Sequence, residues 1–87
     1  VDIDWEFPVS GGLPTNIRRP EDKHNFTLLL QTLREALDAQ GAADGKHYML
    51  TIAGGAGYYY PVFTELSQIH PYLDYACIMS YDLYGAW

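Results

Sequence analysis

The chain has 87 residues, of which 48% are hydrophobic and 18% are charged, so it can form one small globular core. Its 11 acidic and 5 basic residues give a net charge of −6, which excludes nucleic acid as the main partner because phosphate binding needs a basic surface. The single cysteine excludes an internal disulfide framework, and no apolar run approaches the roughly 20 residues of a membrane span.

The first seven residues alternate between apolar and acidic side chains, as in a β-strand with two different faces. One face is apolar and the other is acidic: Val1, Ile3, Trp5 and Phe7 against Asp2, Asp4 and Glu6. Pro8 is predicted to end the strand. Residues 8–19, which are rich in glycine and proline, are predicted to form a loop.

A helix is predicted over residues 20–39, because a proline and two acids precede leucines that recur at helical spacing. Gly41 is predicted to end this helix. A second strand at 48–53, a short helix ending near Ile69 and a third strand at 75–81 follow. Strands that alternate with helices indicate parallel pairing through crossover connections.

The acidic face of the first strand decides between two α/β architectures. A central strand of an open sheet needs apolar side chains on both faces. A strand of a closed barrel can instead carry polar groups that lead to the mouth at its carboxyl end. The predicted fold class is therefore α/β, with the chain as part of a (β/α)₈ barrel.

The three acids also carry the strongest chemical signal. Side chains on one face of a strand repeat about every 6.5–7 Å, so the charges oppose one another and one carboxyl is expected to keep a proton near neutral pH. Cleavage of a glycosidic bond needs such a general acid, and Glu6 is the candidate because it ends the strand. The alternatives are a solvated edge strand, and an Asp-x-Asp pair that holds Mg²⁺ or Mn²⁺ beside a nucleotide sugar.

The nucleophile of such a reaction stays open at this point. Retaining glycosidases normally place two carboxylates on opposite sides of the bond, about 5–5.5 Å apart. Asp4 and Glu6 project the same way from one strand, which places Asp4 badly for attack on the far face of the sugar. Either another strand supplies the nucleophile or the substrate does.

The end of the third strand suits a sugar ligand. Met79 and Tyr81 share a face, Asp82 follows, and Trp87 is close behind. Aromatic rings stack on the apolar faces of sugars, while carboxylates accept hydrogen bonds from their hydroxyls. By themselves these residues are weak evidence, since Tyr and Met in a strand are more often core residues.

Two short motifs resemble one enzyme family. Residues 1–6, Val-Asp-Ile-Asp-Trp-Glu, resemble the signature Asp-x-x-Asp-x-Asp-x-Glu of family-18 glycoside hydrolases, the chitinases, without its first Asp. Residues 79–82, Met-Ser-Tyr-Asp, resemble the family's sixth-strand motif, and residues 8–12 and 19–23 resemble bacterial chitinases. The resemblance covers the whole chain. It implies that residues 1–87 are a partial catalytic domain, from the fourth to the sixth barrel strand, which is inactive by itself.

The resemblance also implies individual roles. Glu6 would be the general acid and later the base, while Asp4 would turn between Asp2 and the acetamido group of the substrate. Tyr81 would hydrogen-bond the acetamido oxygen, which is the nucleophile in this family's exception to the two-carboxylate rule. The remaining residues would bind the sugar chain: Met79, Asp82 and Trp87.

The implied activity is retaining hydrolysis of β-1,4 bonds in chitin and N-acetylglucosamine oligomers, without metal or cofactor. The whole protein is expected to be secreted and monomeric, with no nucleic-acid or membrane partner. Three alternatives remain at this point: an endo-β-N-acetylglucosaminidase acting on glycoproteins, a catalytically silent chitin-binding lectin on the same barrel, and a metal-dependent glycosyltransferase. Such lectins typically lack the acid, whereas Glu6 is present.

Overall fold

The computed structural model describes residues 1–83, apart from the side chain of Asp82. Three parallel strands form one sheet in the order β1-β2-β3. The strands are β1 (Asp2–Ile3), β2 (Thr51–Gly55) and β3 (Tyr75–Met79). The helices are α1 (Asp22–Asp44), α2 (Tyr60–Phe63) and α3 (Leu66–Ile69), with 3₁₀ turns at His70–Tyr72 and Tyr81–Leu83. The alternation of strands and helices and the parallel pairing are therefore as predicted.

The first strand is shorter than the seven residues predicted, because the chain leaves the sheet before Glu6. The carbonyl oxygen of Glu6 accepts a hydrogen bond from the side chain of Asn16 at 3.1 Å, and Pro8 has no N–H to donate to a neighbouring strand. A side chain thus replaces the strand ladder at this end.

The second strand begins three residues later than predicted for a similar reason. Side chains bind two backbone groups just before this strand: the Tyr48 carbonyl accepts from Arg34 at 2.6 Å, and the Leu50 N–H donates to the Asp74 carboxylate at 2.8 Å. The Val1 nitrogen, just before β1, donates to the Met49 carbonyl at 2.7 Å.

The long helix continues past Gly41, so the predicted helix end there is wrong. A Cβ atom at Gly41 would lie 2.3 Å from the carbonyl oxygen of Lys46, so the missing side chain serves close packing inside the helix. The helix ends instead at Gly45, which has a left-handed backbone with φ +66° and donates its N–H to the Gly41 carbonyl.

The core lies between α1 and one face of the sheet. Phe26 and Leu30 of α1 are buried against Ile52 of β2. Trp5 contacts Phe26 edge to face, with ring centroids 5.6 Å apart. Ile3 and Trp5 of the first segment pack against this core, while its three acids are exposed. Within the described residues, no helix is long and apolar enough to cross a membrane.

Candidate active site

The carboxyl ends of the parallel strands meet at one edge of the sheet, where ligand sites of α/β proteins are found. Glu6 follows β1 there, Gly55 ends β2 and Met79 ends β3. A cavity of about 210 Å³ is lined by all three of these residues. The fold therefore brings Glu6 and Met79, which come from opposite ends of the chain, to one site.

A second cavity, of about 380 Å³, lies on another side of Glu6. Asp4 and Glu6 both line it, together with Leu13, Asn16 and Ile17 from the loop at residues 8–19. Glu6 is thus shared by both cavities, whereas Asp4 lines this one and Met79 the other.

The three acids differ in their hydrogen bonding. Asp2 accepts a hydrogen bond from the hydroxyl of Thr51 on the neighbouring strand, at 2.7 Å. Among the described residues, no side chain or backbone group donates to the carboxylates of Asp4 and Glu6, which are exposed. Their oxygen atoms are therefore free to accept a hydrogen bond from a ligand or to exchange a proton with it.

An aromatic cluster packs behind Glu6. The ring of Phe7 contacts Tyr59 and Tyr60 edge to face, with centroids 6.3 and 6.2 Å apart. A Cβ atom at Gly55 would lie 3.0 Å from the ring of Tyr60 and 3.2 Å from that of Phe7, so glycine permits this packing. Burial raises the pKa of Tyr60, and within residues 1–83 its hydroxyl has no hydrogen-bond partner.

The other predicted site residues are placed differently. The structure does not continue β3 to Tyr81, which lies in a 3₁₀ turn with 57% of its surface exposed and is not among the residues lining either cavity around Glu6. Asp82 shares that turn, but its side chain and the whole of Trp87 lie outside the described residues. The structure therefore unites Asp4, Glu6 and Met79 around the cavities and leaves the roles of Tyr81, Asp82 and Trp87 as predictions.

Sequence reasoning missed Asn16 and Gly55. The glycine-rich sequence at residues 54–57, directly after a strand, is a signal that could have indicated close packing. Asn16 lies in an aperiodic loop and has no such signal. Throughout the part of the chain that the structure describes, no three His, Cys, Asp or Glu side chains form a cluster that could hold a metal ion.

All 87 residues match the family model for Glycosyl hydrolases family 18. The chain belongs to this family. It is 60% identical over 87 residues to Chitinase A1 of Niallia circulans, and spans 12% of that protein's length. The predicted family is thereby confirmed.

Two solved structures show the same likeness in three dimensions. Chitinase ChiA74 from Bacillus thuringiensis is 53% identical, with a TM-score of 0.92 over 99% of this chain and 14% of its own. A family-18 N-acetylglucosaminidase from Paenibacillus barengoltzii is 50% identical, with a TM-score of 0.90 over 99% of this chain and 25% of its own. These matches confirm the predicted fold class, an α/β arrangement that fits part of a (β/α)₈ barrel.

Proposed function

We propose that residues 1–87 supply the general acid of a chitinase, which hydrolyses β-1,4 bonds in chitin and in N-acetylglucosamine oligomers. The observation that carries the proposal is the position of Glu6. Its exposed carboxyl ends the acidic segment, faces two cavities and has Asp4 on one side and Met79 on the other. The names of the family-18 relatives support the choice of substrate.

The proposed reaction is retaining and uses the substrate's own acetamido group. The acetamido oxygen attacks the anomeric carbon as the bond from that carbon to the glycosidic oxygen breaks. Glu6 gives its proton to the departing glycosidic oxygen. A water molecule then attacks the anomeric carbon of the resulting oxazolinium ion and loses a proton to Glu6, which restores the acetamido group. Support comes from Asp4 and Glu6, which line the same cavity, because both carboxylates then approach a bound sugar from one side.

The remaining roles are those that the family motif implies. Asp4 orients the acetamido group, and Asp2 shares a proton with Asp4. Thr51 donates a hydrogen bond of 2.7 Å to Asp2. Met79 contacts the sugar in the cavity that it lines with Glu6. The assignments of Tyr81 to the acetamido oxygen and of Asp82 and Trp87 to the sugar rest on the motif alone. We propose that the whole protein is secreted, acts as a monomer and needs no cofactor.

A second candidate is release of single sugars, because one relative of similar identity is an N-acetylglucosaminidase. The products of an N-acetylglucosamine hexamer separate the two activities. A chitinase produces shorter oligomers first, whereas an N-acetylglucosaminidase releases monosaccharide from the first turnover. An endo-acting enzyme on glycoproteins would instead release whole glycans from a glycosylated protein.

The proposal is tested in a chimera in which residues 1–87 replace the matching segment of ChiA74, since the two backbones agree at a TM-score of 0.92. Glu6→Gln keeps the shape and removes the acid, so the rate on the hexamer should fall by at least about 10²-fold. Glu35→Gln is the matched control on the exposed face of α1 and should leave the rate unchanged. A folded chimera without activity, or a Glu6→Gln variant at full rate, would contradict the proposal.

The mechanism is tested by changing the substrate. A glucose oligomer of the same linkage lacks the acetamido oxygen, so the chimera should leave it intact while it cleaves the N-acetylglucosamine oligomer. The first product from the latter should be the β-anomer, measured by proton NMR. Efficient cleavage of the glucose oligomer, or an α-anomer as first product, would return the nucleophile to a protein carboxylate.

A further inference from the structure

The loop at residues 8–19 holds the main chain of Glu6. The side-chain amide of Asn16 donates a hydrogen bond to the Glu6 carbonyl oxygen at 3.1 Å. The loop orients Asn16 by a turn of its own, in which the Asn16 N–H donates to the Leu13 carbonyl at 3.0 Å. Because the chain has left β1 by this point, Asn16 takes the place of a strand partner for this carbonyl.

The same carbonyl is enclosed from a second direction by Gly12. A Cβ atom at Gly12 would lie 1.8 Å from the Glu6 oxygen and 2.8 Å from the Asn16 amide nitrogen. Gly12 also has a left-handed backbone, with φ +74°, which glycine adopts without steric cost. The loop backbone can therefore approach Glu6 only with glycine at this position.

The next residue, Phe7, is held by its side chain. Phe7 packs against Tyr59 and Tyr60, and a Cβ atom at Gly11 would lie 3.2 Å from its ring. The backbone at Glu6 is thus fixed by its carbonyl and by the following side chain, while its carboxylate remains free.

We propose that Asn16 is a positioning residue for the general acid, an inference that rests on the proposed function of Glu6. A proton transfer needs donor and acceptor atoms about 2.6–3.2 Å apart, and a misplacement of about 1 Å can reduce a rate about 10²-fold. Without the Asn16 amide, the peptide after Glu6 can rotate and carry the carboxyl away from the glycosidic oxygen. Asn16 contacts the main chain, so it acts through Glu6 without touching the reacting atoms.

The test compares two substrates that differ in their need for acid. The chimera and its Asn16→Ala and Asn16→Asp variants are assayed on the N-acetylglucosamine hexamer and on the 2,4-dinitrophenyl glycoside of the dimer. Dinitrophenolate leaves without a proton, and kcat/KM covers only the steps up to its departure, before Glu6 acts as a base. For this parameter, only cleavage of the hexamer therefore depends on proton donation by a well-placed Glu6. We expect kcat/KM to fall about tenfold or more for the hexamer and to stay within about threefold for the aryl glycoside.

Asn16→Asp has nearly the same shape as the native residue but replaces the N–H donor by an oxygen. Its kcat/KM on the hexamer should therefore fall at least as far as that of Asn16→Ala. Arg18→Ala is the matched control, because Arg18 donates to the Gly11 carbonyl at 3.2 Å and steadies the same loop without reaching Glu6. It should change both substrates equally. Equal losses on both substrates in the Asn16 variants, or the full hexamer rate, would overturn the inference.

The two proposals fail in different ways. If Glu6→Gln abolishes hexamer cleavage but the Asn16 variants behave like Arg18→Ala, the proposed function stands and the positioning role is wrong. If Glu6→Gln retains the hexamer rate, the proposed function is wrong and the positioning role is wrong with it. Far-ultraviolet circular dichroism and Tm of each variant separate loss of structure from loss of rate.

Discussion

The two ends of the sheet use carboxylates in opposite ways. At the amino end of the strands, Asp74 accepts hydrogen bonds from the Leu50 N–H at 2.8 Å and from Arg34 at 3.0 Å, and its other oxygen lies 2.6 Å from His47. At the carboxyl end, the carboxylate of Glu6 accepts none from the described residues, and the protein instead holds the Glu6 carbonyl.

This difference separates structural carboxylates from candidate catalytic ones. The Leu50 N–H, and after it His47, keep the pKa of Asp74 below its ordinary value, because these donors favour the charged form. A carboxylate committed in this way is a poor proton donor. Glu6 combines a fixed backbone with free oxygens, which suits an acid that must meet a ligand.

The largest effect on stability is expected at Gly12, in the loop that encloses Glu6. Gly12→Ala introduces a strained left-handed residue, at about 1–2 kcal/mol, and a collision with the Glu6 carbonyl that costs about 1–3 kcal/mol more. Gly45→Ala is the matched control, because Gly45 has φ +66° but nothing within 4 Å of the added Cβ atom. It should lose only about 1–2 kcal/mol.

The measurement is denaturant unfolding of the two variants in the ChiA74 chimera. The difference between Gly12→Ala and Gly45→Ala isolates the contact with Glu6 from the backbone strain that both share. Equal losses of unfolding free energy in the two variants would contradict the prediction, since they would mean that the added Cβ atom at Gly12 does not collide with the Glu6 carbonyl.

A smaller effect is expected at the amino end of the sheet. Asp74→Asn should lower the Tm of the chimera at neutral pH, because Arg34, only 11% exposed, loses its charged partner there. The other partner of Arg34 is Asp38, whose side chain is 59% exposed. Asp38→Asn should therefore lower the free energy of unfolding by no more than about 0.5 kcal/mol. Neither substitution should change kcat/KM on the hexamer.

The pH dependence of this effect follows from the lowered pKa of Asp74. The stability it contributes is fully present above its ordinary value of 3.8 and is lost as the pH falls through the lower folded value. The gap in Tm between the chimera and Asp74→Asn should therefore shrink on acidification below that range. A gap that stays constant down to the acid limit of the native state would contradict the structural role of the ionised carboxylate.

Short-range patterns were enough to predict the order of elements and the acid-bearing segment. Alternation placed Asp4 and Glu6 together on one face, and the two residues line one cavity. Helical spacing predicted the helix whose Phe26 and Leu30 are buried in the core. These patterns depend only on residues a few positions apart, so they can be recognised in the sequence without the tertiary structure.

Tertiary contacts decided where the elements end. The helix continues through Gly41, where the carbonyl of Lys46 packs closely, and β1 ends at Ile3, while the Glu6 carbonyl beyond it is bound by Asn16. A propensity rule reads Gly41 as a helix end, since such rules consider the chain locally and cannot include a contact that forms only when a loop folds back.

The sequence by itself therefore identified the candidate site residues Asp4, Glu6 and Met79, through their types and spacing. Only the tertiary structure decided which groups hold Glu6 in place, since Asn16 lies ten positions further along the chain, in an aperiodic loop. It also decided that Asp74 is a structural carboxylate, because its partners come from α1 and from the segment just before β2. Periodicity in the sequence predicts a helix or a strand. Whether a carboxylate is hydrogen-bonded within the protein depends on neighbours that only the folded chain brings together.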